Sequence, residues 1–184
     1  TLGTGFDYVQ ALETADLDGD GDLDVLVGAA TAQAIYWYEN QDGAPITFVE
    51  RLVAADVNMP RSVKTADLDG DSDLDILVAS DQDDTVAWYE NSGTETPTFV
   101  KRPVSTEFDG AYAVYPADVN GDGLIDIVAA AKAANAVVWF EHDGGEDPTF
   151  TEHIITTTAV AAIAVSVADL DADGDLDVLS ASTD

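Results

Sequence analysis

Short apolar runs separated by polar, glycine-bearing turns recur along the whole chain, and no stretch carries the 3.6-residue period of an amphipathic helix. Within one unit the order is a small-residue run at 11–17 leading into an aspartate-rich turn, an apolar run at 24–30, an aromatic run at 34–39, a turn around Gly43 and Pro45, and a last run at 47–53. These lengths and residue types predict four strands per unit. Successive units are offset by 51 residues, an interval shared by Trp37, Trp88 and Trp139, by Phe48, Phe99 and Phe150, by Glu39, Glu90 and Glu141, and by Ala15, Ala66, Ala117 and Ala168. Four-stranded units repeated at this period predict an all-β chain, a β-propeller of four-stranded antiparallel blades. The blades are placed at 8–57, 58–108, 109–159 and 160–184, about three and a half in a single repeat domain, with the last one incomplete.

Residue types also predict where each strand lies. The alanine-rich first strand suits the crowded centre of the ring. The second and third are apolar on both faces, as expected of strands sandwiched between blades. The fourth carries Glu50 and Arg51, Lys101 and Arg102, or Glu152 and His153, and charge of this kind protects an outer edge.

The four aspartate-rich turns read DLDGDGDLD from Asp16, DLDGDSDLD from Asp67, DVNGDGLID from Asp118 and DLDADGDLD from Asp169. Side-chain oxygens at the first, third, fifth and ninth positions are common to all four: Asp16, Asp18, Asp20 and Asp24; Asp67, Asp69, Asp71 and Asp75; Asp118, Asn120, Asp122 and Asp126; Asp169, Asp171, Asp173 and Asp177. At the seventh position stand Asp22, Asp73, Leu124 and Asp175. Leu124 has no side-chain oxygen, so this position is expected to offer its main-chain carbonyl. Alternating oxygen donors around a sharp turn resemble the first half of an EF-hand loop and favour Ca²⁺, one per loop and up to four in all. Zinc would recruit His or Cys, and magnesium keeps more of its water. An EF-hand itself would place Glu at the twelfth position, where Val27, Val78, Ala129 and Ser180 stand.

Charge strengthens this reading. The chain has 37 acidic and 6 basic residues, a formal net charge of −31, and nearly half of the acids lie in these four loops. Such a surface repels nucleic acid and anionic lipid, so neither is an expected partner. There is no cysteine, and no apolar run approaches the length of a membrane span.

Together, the D-x-D/N-x-D-G/S-x-x-D loops, the L-D-V/I-L/V runs that follow them and the W-Y/F-E stretches resemble the FG-GAP/VCBS repeat family, the calcium-loop blades of integrin α-subunit propellers, fungal integrin-like lectins and large secreted bacterial proteins. The sequence departs from that family in lacking a Phe-Gly pair, in having Gly43-Ala44-Pro45 once only, and in Ser72 at the sixth position of loop two. The resemblance implies a structural calcium between the first two strands and ligand contacts on other loops.

The function expected is a calcium-stabilised extracellular or cell-surface module that recognises carbohydrate or a protein, its ring completed by further blades or chains. Alternatives are the propeller portion of a sugar-acting lyase or dehydratase, or a structural scaffold. No catalytic residues are assigned. Trp37, Trp88 and Trp139 lie inside apolar runs and are expected in the core, whereas His142 and His153 are expected at the surface. The connecting segments 58–64 and 107–115 vary between units and are where recognition is expected.

Overall fold

A computed structural model describes residues 8–41, 43–145 and 147–183, so the expected end of the fourth unit at Asp184 lies outside the described residues. The first unit contributes β1 (Val9–Ala15), β2 (Asp24–Ala29), β3 (Ala34–Asn40) and β4 (Phe48–Ala55). The second contributes β5 (Pro60–Ala66), β6 (Asp75–Ser80), β7 (Thr85–Asn91) and β8 (Phe99–Ser105). The third contributes β9 (Ala111–Ala117), β10 (Asp126–Ala131), β11 (Ala136–His142) and β12 (Phe150–Thr156), and β13 (Ala162–Ala168) and β14 (Asp177–Ser182) follow. Three four-stranded sheets and one two-stranded sheet result, every strand pairing antiparallel with its sequence neighbour, and no helix occurs among the described residues.

The first strands β1, β5, β9 and β13 lie against one another in that order, which puts the small-residue strands at the inner side of the array. Each begins with a bulge whose extra residue is Gln10, Arg61, Tyr112 or Ile163. A bulge raises local twist and turns its side chain out of the ladder. The described sheets fan out from this inner row without closing into a ring.

Apolar layers fill the space between sheets. Leu26, Ile35 and Trp37 of the first sheet pack on Val63, Ile76, Val78 and Tyr89 of the second. Leu77, Val86 and Trp88 then pack on Val114, Ile127, Val138 and Phe140 of the third, and Val128, Ala130 and Val137 pack on Ala162 and Val167 of β13. Every residue of β6 and β10 is buried, as the two-sided apolar pattern predicts. On β14, Leu179 is 39% exposed where its counterpart Leu77 is 0% exposed, because no further sheet covers it among the described residues. Trp37 and Trp88 are core residues, and Trp139 is partly buried.

Candidate metal centres

Each aspartate loop closes the hairpin between the first two strands of its unit. The side chain at the first position accepts backbone N–H groups from across the loop. Asp16 Oδ2 accepts from Gly21 at 2.9 Å, Asp118 Oδ2 from Gly123 at 2.9 Å, and Asp169 Oδ2 from Gly174 at 3.1 Å. Third and fifth positions form local turns of the same kind, with Asp18 accepting from Asp20 at 3.3 Å and Asp20 from Asp22 at 2.9 Å. The loop thereby curls around its own carboxylates.

Curling this tightly requires positive φ at the fourth and sixth positions. Gly19, Gly70 and Gly121 supply the fourth and Gly21, Gly123 and Gly174 the sixth, whereas Ala172 at φ 63° and Ser72 at φ 80° meet the same demand with a Cβ. Nothing lies within 4 Å of a Cβ built on Gly19, Gly21 or Gly70, so conformation rather than space selects glycine there. Ser72→Gly should therefore stabilise the chain by about 1 kcal/mol, which denaturant unfolding at saturating calcium would register.

The structure brings Asp16, Asp18 and Asp24 together in loop one, Asp67, Asp69 and Asp71 in loop two, and Asp169, Asp171 and Asp177 in loop four, each group with ligand atoms within 4.8 Å of one another. Oxygens around one Ca²⁺ at 2.3–2.6 Å can be at most about 5 Å apart, so this spacing fits a shared ion. Asp16 Oδ1 is buried with no hydrogen-bond partner, an arrangement that a cation would relieve. In loop three Asn120 takes the third position, and Asp118 binds the Asp122 N–H at 3.1 Å. Asp20, Asp22, Asp73, Asp75, Asp173 and Asp175 lie outside the three groups.

The ninth position has a second task. Asp24 accepts from the N–H of Leu17 at 3.1 Å and of Asn40 at 2.8 Å; Asp75 accepts from Leu68 and Asn91, both at 2.9 Å; Asp126 accepts from Val119 at 3.0 Å and His142 at 2.9 Å. Each is at most 1% exposed. One carboxylate thus ties the loop to the end of the third strand. Burial pushes Asp75 up to about 7 against these two hydrogen bonds, with the charges of Asp69 and Asp71 adding to the rise. Asp18, Asp24 and Asp69 are also raised, burial being the largest cause in each, and Glu39 and Glu90 are among the neighbouring charges acting on Asp18 and Asp69.

A raised carboxylate means that the folded chain binds more protons than the unfolded one, so this contribution is full below about pH 4 and is lost as pH rises towards 7. Calcium-free protein should accordingly melt at a higher temperature at pH 5.5 than at pH 8. Asp75→Asn should flatten that dependence in parallel melts.

His142, expected at the surface, is buried at 6% exposure. It occupies the repeat position of Asn40 and Asn91, where a side-chain donor reaches a loop carbonyl. His142 Nε2 bonds the Leu68 carbonyl at 2.9 Å, as Asn91 Nδ2 bonds that of Leu17 at 2.9 Å, and His142 Nδ1 accepts the Gly144 N–H at 2.9 Å. Each bond to a loop carbonyl pins one sheet to the aspartate loop of the sheet before it. His153 is half-exposed and paired with Glu141.

The variable connecting segments lie at the opposite end of the strands from these loops. There Arg61 bonds Gln10 Oε1 at 2.8 Å and Asp81 at 2.7 Å and lies 4.9 Å from the centre of the Tyr112 ring, with Lys132 5.6 Å from the same ring. Three of the four bulge residues, Gln10, Arg61 and Tyr112, therefore meet in one place.

Antiparallel sheets repeating at a fixed interval, each with an oxygen-rich loop on its first hairpin, define an all-β repeat protein organised around acidic turns. The FG-GAP-like repeat family model matches residues 16–78, 67–129 and 118–180, each window opening on the first aspartate of a loop, and the chain belongs to this family. No curated protein matches the chain.

Proposed function

We propose that the chain is a calcium-stabilised β-propeller module that recognises carbohydrate or a protein outside the cell. The observation that carries the metal assignment is the convergence of Asp16, Asp18 and Asp24, with the orphaned Asp16 Oδ1 among them; carboxylates also converge in loops two and four. Asp16, Asp18, Asp20 and Asp24 and their counterparts would hold the ion, together with the main-chain carbonyl at the seventh position. Calcium supplies positive charge that offsets closely packed carboxylates and locks the first hairpin. The sheets are the blades, and further blades or chains complete the ring. Extracellular calcium is abundant enough to fill loops of modest affinity.

Recognition is assigned to the end of the strands remote from the metal loops, where Gln10, Arg61 and Tyr112 break the repeat. Binding of the calcium-loaded chain to a glycan array, compared with a chelator-treated sample checked by circular dichroism, tests this assignment. Binding to a defined sugar that is lost in Tyr112→Ala supports it. A folded, calcium-loaded chain that binds no glycan and no protein ligand would instead favour the scaffold reading.

A further inference from the structure

Beside the first three aspartate loops, the third and fourth strands repeat one more device. Trp37 faces Arg51 across the strands, Trp88 faces Arg102, and Trp139 faces His153. In each case the fourth-strand side chain turns to the glutamate two residues beyond the tryptophan: Arg51 to Glu39, Arg102 to Glu90 at 2.7 Å, and His153 to Glu141 at 2.7 Å. Arg51 also lies 5.4 Å from the centre of the Trp37 ring, and His153 stacks on Trp139 with centroids 4.7 Å apart.

The other side of Glu39 and of Glu141 faces the aspartate loop. Glu141 Oε1 accepts from Asn120 Nδ2 at 3.3 Å, and Glu39 lines a groove with Asp18, Gly19, Asp20 and Glu95 of the second unit. The residue types change together along the chain. Units one and two combine Asp, Glu and Arg as Asp18, Glu39 and Arg51 and as Asp69, Glu90 and Arg102, whereas unit three combines Asn120, Glu141 and His153. Where the loop residue loses its negative charge, the arginine behind the glutamate is replaced by histidine.

We propose that Glu39, Glu90 and Glu141 are positioning residues that set the calcium affinity of loops one to three, each balanced by its fourth-strand partner Arg51, Arg102 or His153. The inference rests on the calcium reading above. Glu39 contributes negative potential at the ion, and Arg51 cancels part of that potential. The sheet's outer strand thereby adjusts a site on its inner hairpin.

The test is a Ca²⁺ titration of ¹⁵N-labelled chain at pH 7.5. The Gly21 amide reports loop one through its bond to Asp16, and the Gly174 amide reports loop four, behind which no third strand lies among the described residues, and serves as the internal reference. One unit charge acting on a divalent ion at roughly 7 Å in a water-like dielectric changes affinity by about five- to ten-fold. Glu39→Gln should weaken loop one by that factor. Arg51→Met should tighten it by a similar factor while lowering the melting temperature of the metal-free chain. The double variant should return to within about two-fold of the parent.

Weakening in both single variants, with a larger loss in the double variant, would overturn the proposal in favour of a purely structural ion pair. Glu90→Gln and Arg102→Met, read at the Ser72 amide, repeat the test at loop two should a loop-one variant fail to fold. A parent chain whose Gly21 and Gly174 amides both ignore calcium would bring down the calcium reading and this inference together. Normal parent binding with unresponsive variants would bring down this inference alone.

Discussion

Removing calcium should lower the midpoint of thermal unfolding by about 10–40 °C. An ion that binds only the folded chain stabilises it by about 1.4–2.7 kcal/mol per site at ten- to hundred-fold excess over its dissociation constant. Several loops acting together therefore contribute about 5–10 kcal/mol, and a chain of this size shifts by about 2–4 °C per kcal/mol. The direction follows from the loops themselves, where Asp18, Asp24 and Asp69 are held in partly or fully buried positions beside other carboxylates. Melts in millimolar CaCl₂ and in EDTA at matched ionic strength measure the effect, with MgCl₂ as control. Equal midpoints in calcium and EDTA would remove the metal from the account of stability.

The second large effect separates two kinds of aspartate in one loop. Asp126→Ala should destabilise the calcium-free chain by about 3–5 kcal/mol, and the calcium-loaded chain by more because a ligand is lost as well. The substitution strands the N–H groups of Val119 and His142, and each unsatisfied buried donor costs about 1–3 kcal/mol in addition to the lost charge-assisted bonds. Asp122→Ala, at an exposed position, should remove one calcium ion and lower the calcium-loaded midpoint while leaving the calcium-free midpoint almost unchanged. Chemical unfolding of both variants in calcium and in chelator gives all four values. Equal calcium-free midpoints in the two variants would refute the additional tie made by the ninth aspartate.

The strands were legible because the chain repeats itself. Apolar runs recurring at a fixed interval predict β6 and β10 as strands covered on both faces, and both are buried throughout. Loop three narrowed the candidate ligand positions, since Leu124 removed the seventh side chain as a common oxygen donor. Less legible was the double role of the ninth aspartate, because spacing alone reads the same for a metal ligand and for a carboxylate that binds two backbone N–H groups. It is the fold that places Asp24, Asp75 and Asp126 between the loop and the third strand.

His142 was misplaced for a related reason. Compared with His153 it shares no repeat position, but compared with Asn40 and Asn91 it stands in register, and all three present a side-chain N–H to a loop carbonyl. The interval that revealed the aspartates would have revealed this bond had polar residues been aligned by hydrogen-bonding capacity. The positive φ at the fourth loop position had a visible signal in Gly19, Gly70 and Gly121, obscured by Ala172. Pairing of Glu39 with Arg51 was hidden differently, since charge on an outer strand reads first as edge protection.

Isothermal titration of the metal-free chain with Ca²⁺ would be the most direct measurement of all. Four ions per chain are expected, with loop two the weakest because of Ser72, three ions after Asp122→Ala, and a much weaker isotherm with Mg²⁺. A folded chain that takes up fewer than three calcium ions, or whose stoichiometry is unchanged in Asp122→Ala, would show that the aspartate loops are not the calcium sites described here.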